Sequence, residues 1–392
     1  MILKKDNLFS YFILTISLAW LMIDTLNGII GYFKDLYIFS SFFRAIVFFV
    51  MYIYIYKYFY KNLFFNLTSA LLFLLTIIHV ILFANVESVK MVIKVLMPLL
   101  MYFTFNIMLK KQHISFKNIK FIIIINTSVI LLNLYLYYFG IGFDNYGIDD
   151  TTKLLKGGTG FFYAGNEVGA TLIALLILNI FIFYKKNIIF ISIVVMFFLI
   201  ASLALMSKTA IFGVLLIYFL YLFSRYAVTT ILSYLFVTIT STILYVYNIF
   251  IEQINLTIER WSYFYNEYGV VYLFGGIKRW THVHQWILDI SANPFSLFYG
   301  TGWSGECENN FFDLLQAFGI AGFIIFIFWV GIFFKLFKTK KYNPKMYFVS
   351  LSYGILIGIS FFAGHVMQSA MLSLFLVLVS HSNKIYALSN KL

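Results

Sequence analysis

Residues 63–84 read LFFNLTSALLFLLTIIHVILFA, an uncharged run between polar punctuation. Crossing the ~30 Å hydrocarbon layer of a bilayer takes about 20 mostly apolar residues at ~1.5 Å each, so this run is long enough for one spanning helix. Twelve such runs lie near 8–29, 36–56, 63–84, 91–109, 120–139, 164–184, 187–206, 209–224, 227–250, 311–334, 346–363 and 366–382. The eighth is short. The first follows Lys4 and Lys5, as a secretory signal would, but it lacks a small-residue cleavage site and more spans follow, so it reads as an uncleaved helix.

Whole-chain composition agrees. Of 392 residues, 62% are hydrophobic and 11% charged, which excludes a soluble globule with a polar rind. The expectation is one all-α polytopic membrane domain over 1–392, with about twelve transmembrane helices and a long extracytoplasmic loop at 251–310. Most of the 28 basic residues fall in alternate turns, among them the pairs Lys110–Lys111, Lys185–Lys186 and Lys340–Lys341. Loops held in the cytoplasm carry the excess of positive charge, so both termini are expected inside. The net charge of +13 does not point to nucleic acid, because the cations sit in short turns rather than on one face. A lone Cys307 excludes an intramolecular disulfide, and internal repeats, Pro/Gly linkers and heptads are absent.

This topology sends the unusual polar clusters outward, to about 140–163, 206–209, 251–310 and 364–366. A segment of about 60 residues is too long for an idle connection, and its aromatic residues suit a lipid–water interface or stacking on sugars. Within it, GGIKRWTHVHQWILDI (275–290) reads as an amphipathic helix. Lys278, His282, Gln285 and Asp289 share one face; Trp280, Val283, Ile287 and Ile290 form the apolar stripe. It serves either as a membrane-surface helix with snorkelling cations or as an anion receptor built on Lys278 and Arg279. His282 and His284 do not share a face, and no third ligand stands at a fixed spacing, so no metal site is read.

Lys208, in ALMSKTAIFG (204–213), is a snorkelling helix end or a second cation beside an outer cavity. Asn166 and Glu167, in GGTGFFYAGNEVGA (157–170), suit a helix N-terminus. His365, in FFAGHVMQSA (361–370), is a lone imidazole at an outer turn, structural or catalytic. The densest cluster is GTGWSGECENNFFDLLQAFGIAG (300–322), which sets Glu306, Glu308, Asn309 and Asn310 against the start of an apolar helix. Capping of that helix is one reading, compatible with catalysis.

Together these pieces resemble the O-antigen polymerase and ligase superfamily of bacterial polysaccharide assembly. The resemblance covers most of the chain as architecture: many spans and one long outer loop before the last three. Ligases of that family carry a His-Asn pair, an aromatic two residues later and a glycine eleven residues after the histidine. Glu308-Asn309, Phe311 and Gly319 reproduce the spacing with glutamate for histidine, a departure that favours polymerase over ligase. The family's arginine after a span pair matches Lys208, and its loop arginine before a tryptophan matches Arg279.

The resemblance implies a glycosyltransferase of the bacterial cytoplasmic membrane, working on its outer side without metal or other cofactor. Its donor and acceptor would be glycans on undecaprenyl diphosphate, with membrane lipid around it and a chain-length regulator protein as partner. Arg279, Lys208 and Lys278 would stabilise the leaving diphosphate as its charge grows. Glu308 would be the general base, with Glu306 its rival. Asn309, Asn310, His282, His365, Asn166 and Glu167 would support the acceptor. A single displacement inverts the anomeric centre; a covalent intermediate on Glu308 would retain it. The alternatives are an O-antigen ligase transferring polymer to lipid A core and, from another class, a flippase for lipid-linked oligosaccharide. A flippase calls for charges along the bundle interior, where Arg44 and Lys94 are the main candidates.

Overall fold

In the computed structural model, the residues described are 2–34, 38–59, 61–144, 157–163, 165–226, 228–269, 277–302, 309–338, 343–361, 364 and 366–390. The chain is almost wholly helical. In order come α1 (Ile2–Leu18), α2 (Trp20–Lys34), α3 (Ile38–Phe59), α4 (Leu63–Phe83), α5 (Glu87–Lys110) and α6 (Phe116–Leu136). A small antiparallel hairpin follows, β1 (Phe143–Asp144) with β2 (Gly158–Gly160), then α7 (Gly165–Phe183), α8 (Ile188–Ala204), α9 (Lys208–Phe223) and α10 (Val228–Tyr268). The chain continues through α11 (Ile277–Ala292), α12 (Ser296–Tyr299), α13 (Asn310–Phe318), α14 (Ile320–Lys338), α15 (Pro344–Ser360), α16 (Ala370–Ser380) and α17 (Ser382–Ser389).

Polar punctuation between the apolar runs starts these helices. The Asn62 side chain accepts from Phe65 N at 3.0 Å, Ser115 from Asn118 N at 3.2 Å, and Asn343 from Met346 N at 3.4 Å, with Pro344 just inside its helix. Each cap satisfies an amide that a helix start leaves without an internal acceptor, a need most acute near lipid.

Among the described residues, six helices are long and apolar enough to cross a membrane, or eight if each bent pair counts as one. Shorter apolar stretches at Ile188–Ala204, Lys208–Phe223 and Ile231–Leu244 coincide with the expected seventh to ninth spans. The protein is therefore an all-α, membrane-embedded bundle.

Several boundaries differ from the sequence expectation. The first run is two helices meeting at Ala19 with a bend of 54°. The cause lies on α6: Asn126 Oδ1 takes the Leu21 amide at 3.0 Å, while its Nδ2 donates to Ser17 O at 3.0 Å. Those two backbone groups would otherwise bond each other, so an inserted amide opens the ladder. The tenth run breaks at Gly319, and the twelfth bends by 56° after Ser380. The ninth does not stop at 250; α10 has 41 residues, about 60 Å, so the first part of the expected loop continues this helix.

The turns fall into two groups by contact. One holds Ser10 with His113 (3.1 Å), Lys111 over the Tyr58 ring (3.8 Å), Arg225 on Tyr184 O and Lys186 O, and Lys345 over Phe181 (4.1 Å). The other holds Tyr32 against Phe143 and Phe161, His79 on Tyr299 O, Asn309 on Phe361 O, and Ser369 on Glu167. The apolar helices run from one group to the other. α16 is buried along its length against α5 and α7 and forms the centre of the bundle.

Candidate functional site at one end of the bundle

Four helix starts gather at the second end. α7 and α9 begin together: a Cβ placed on Gly169 would lie 3.4 Å from Ala210 Cβ and 3.9 Å from Ser207 Oγ. Ser207 caps α9 by accepting from Ala210 N at 3.4 Å, which sets Lys208, half-buried, as the first helical residue. Met206 before it has φ +50°, a tight turn, and Gly157 packs on that turn so closely that a Cβ would stand 2.6 Å from Leu205 O.

Glu167 lies in the first turn of α7 and accepts a hydrogen bond from Ser369 Oγ. The same Ser369 caps α16, accepting from Leu372 N at 3.2 Å. One hydroxyl therefore joins two helix starts. Asn166 and Glu167 are both half-buried.

Asn309 caps α13, its Oδ1 accepting from Phe311 N (3.1 Å) and Phe312 N (3.3 Å), and its Nδ2 donates to Phe361 O (2.8 Å) just past α15. α15 in turn packs on α7 and α9; the space beside Gly213 is filled by Ile173 and Ile359. The capping reading of Asn309 thus holds. Asn310 is fully buried, and neither its amide nitrogen nor its oxygen has a hydrogen-bond partner among the described residues. Gln368, 2% exposed and next to Ser369, is in the same condition.

Gly319 explains the glycine of the quoted spacing. Its backbone, φ +53° and ψ −131°, is open essentially to glycine alone, and a Cβ there would stand 2.4 Å from Leu297 O. The break turns α13 onto α14 and lets α12 seat against the junction. His79, buried in α4, holds the same region: one ring nitrogen bonds Tyr299 O at 2.9 Å and the other Ser88 Oγ at 3.3 Å.

α11 docks on α13 through Trp286, whose ring meets Phe312 edge-on at 5.6 Å. The buried positions are Val283 and Trp286, whereas Ile287 is 48% exposed, which corrects the expected stripe. Apolar character marked several candidates, but an aromatic partner selected one. On the opposite side Gln285 donates to Asp289 at 3.1 Å, as their shared face predicts, and His282 is half-exposed. Lys278 and Arg279 belong to the first turn of α11, the helix that leans on α13. Glu306, Glu308 and His365 lie outside the described residues.

Sequence reasoning passed over Ser369, Gln368, His79 and Asp313, the last fully buried one turn into α13. A serine directly before an apolar run was a legible capping signal. A histidine inside an uncharged run, and an aspartate one turn into a helix, were legible as oddities without an assigned partner. Of the two charges weighed for a carrier, Lys94 is exposed, and Arg44 is paired with Asp24, its Nη2 standing 2.6 and 2.7 Å from the two carboxylate oxygens. Ser40 Oγ adds a third bond to that carboxylate at 2.7 Å.

The fold and this convergence define the class: a polytopic α-helical membrane protein with a polar cluster built from helix N-termini at one end. No family model, curated protein or solved structure matches the chain.

Proposed function

We propose that the protein is a polysaccharide polymerase, a glycosyltransferase of the bacterial cytoplasmic membrane. It lengthens O-antigen or capsule by moving glycan from undecaprenyl diphosphate to the non-reducing end of a lipid-linked repeat unit. In this reading twelve spans place both termini in the cytoplasm and the polar cluster on the outer side. The observation that carries it is the placement of Lys208, Glu167, Asn309, Asn310 and Gln368 at or beside helix starts at the same end of the bundle, with the helix bearing Lys278 and Arg279 docked on α13.

The chemistry follows from charge. When the acceptor oxygen attacks the anomeric carbon, the bond from that carbon to the diphosphate oxygen breaks, and negative charge collects on the leaving group. Fixed cations and helix N-termini stabilise that charge more in the transition state than before it. Arg279 offers a planar fork for phosphate oxygens; Lys208 and Lys278 act as point charges. Glu308, directly before the Asn309 cap, takes the acceptor's proton, help worth about 10²–10⁴-fold. One displacement by this route inverts the anomeric centre. Asn310 and Gln368 add two buried amides at that end that have no hydrogen-bond partner among the described residues.

The test is purified protein in lipid with two lipid-linked repeat units. Longer chains are expected without an added divalent ion, lost in Arg279→Ala and Glu308→Gln while the unfolding profile is kept. Full activity of both variants overturns the mechanism. Movement of glycan across vesicles with no change in length replaces the reading with a carrier.

A further inference from the structure

The turn after α6 holds a cavity that the chemistry above does not use. Tyr137, Tyr138, Phe143 and Asp144 line it together with the backbone about Gly140, and its volume is about 250 Å³, far more than one water or a bare ion needs. The sequence builds it locally. Gly140 ends the helix at φ +69°, its amide donating to Tyr137 O at 2.9 Å and the Ile141 amide to Leu136 O at 3.1 Å. The chain then turns back into β1, where Asp144 pairs with Gly158 of β2. Tyr138 is fixed by its hydroxyl, which donates to Ile200 O at 2.8 Å. Asp144 is exposed and stands close enough to the Tyr137 hydroxyl to act on it through its charge.

Position and lining decide the guest. Two consecutive residues of β2 and the loop before it join the cavity to the start of α9. A Cβ on Gly158 would stand 2.2 Å from Tyr137 Cδ2, and one on Gly157 would stand 2.6 Å from Leu205 O, in the turn before Lys208. The described lining contains no lysine, arginine or histidine, and its one charge is a carboxylate, so a phosphate group is repelled. A cationic guest would meet Lys208 around the same turn as a like charge. What remains is aromatic surface beside hydrogen-bond acceptors. A sugar ring is uncharged and presents both complements, C–H faces to rest on the rings and hydroxyl donors for the carboxylate.

We propose that this cavity is a saccharide subsite that holds one sugar ring of the glycan beside the Lys208 turn, an assignment that rests on the polymerase reading for its ligand. Two variants test it. Asp144→Asn removes the charge, and Gly140→Asn fills the space, since asparagine tolerates the left-handed backbone and a Cβ at Gly140 meets nothing within 4 Å. In lipid, with lipid-linked repeat units, each variant is expected to raise KM about tenfold or more, the loss of one hydrogen bond to a charged group, with the change falling on KM rather than kcat and the unfolding profile kept. Polymer made with the wild-type KM by both variants overturns the subsite and leaves the polymerase reading standing. The repeat-unit glycan released from its lipid is the second probe, expected to bind the wild-type protein and to bind each variant about tenfold more weakly. If no polymer forms but glycan binds in that pattern, the subsite stands and the polymerase reading falls. Glycan that fails to bind the wild-type protein, or that binds all three proteins alike, overturns the subsite.

Discussion

Gly319→Ala is the sharpest perturbation available, because Gly331→Ala is its matched control twelve positions along. At Gly319 the left-handed backbone costs an alanine about 1–3 kcal/mol. In addition the new methyl would stand 2.4 Å from Leu297 O and 2.7 Å from Phe298 O. Both are backbone atoms, so α12 must move by roughly 1 Å to restore an ordinary carbon–oxygen contact of about 3.3–3.6 Å. Together these put the loss at about 3–5 kcal/mol, the range reserved for changes with a specific steric cause. At Gly331, inside α14, a methyl meets nothing within 4 Å, and a helix interior favours alanine by about 1 kcal/mol. The two variants therefore shift stability in opposite directions. Thermal unfolding of the protein in lipid discs, followed by tryptophan emission, reads both. If Gly319→Ala unfolds with the wild type, or if both shift alike, the account of the helix break is wrong.

Removing the Ser369 hydroxyl or neutralising Glu167 is expected to show coupling: Ser369→Ala, Glu167→Gln and the double variant give an interaction energy of about 1–2 kcal/mol, whereas additive effects deny the link. Arg44→Leu strands Asp24 and costs about 3 kcal/mol, most of it recovered in Arg44→Leu/Asp24→Leu; no recovery in the double variant rules against a paired charge. His79→Ala releases Tyr299 at a cost of about 2 kcal/mol, and protease is expected to cut faster within 277–302, with an unchanged rate counting against this latch. The proposed orientation has its own check in a Cys307→Ser background: Tyr163→Cys, 76% exposed in the wild type, reacts with an impermeant thiol reagent on intact cells, and Lys186→Cys only after lysis. The reverse pattern inverts the topology.

Much of the candidate site was legible because helix starts are written locally. Asn309, Asn166, Glu167 and Lys208 each stand where an apolar run begins, and all four fall at the beginning of a helix or directly before it. Their partners were not legible. Ser369 lies 202 residues from Glu167, and Phe361 lies 52 residues from Asn309, separations that no local pattern reports. The stripe on α11 failed for the same reason, since Phe312 chose Trp286 over Ile287 from another helix.

Sequence alone was enough to establish a membrane-embedded helical chain, with starts marked by Asn166, Glu167, Lys208 and Asn309, because apolar length and capping act within a turn or two of the residues that encode them. Only the tertiary structure decided where those helices break or run on, and which starts meet. Asn126 opens the first helix from 105 positions away, and Leu297 makes Gly319 indispensable from across a turn. A buried polar group or a close backbone contact takes its energy from whatever folds against it, and that neighbour is a property of the packed chain.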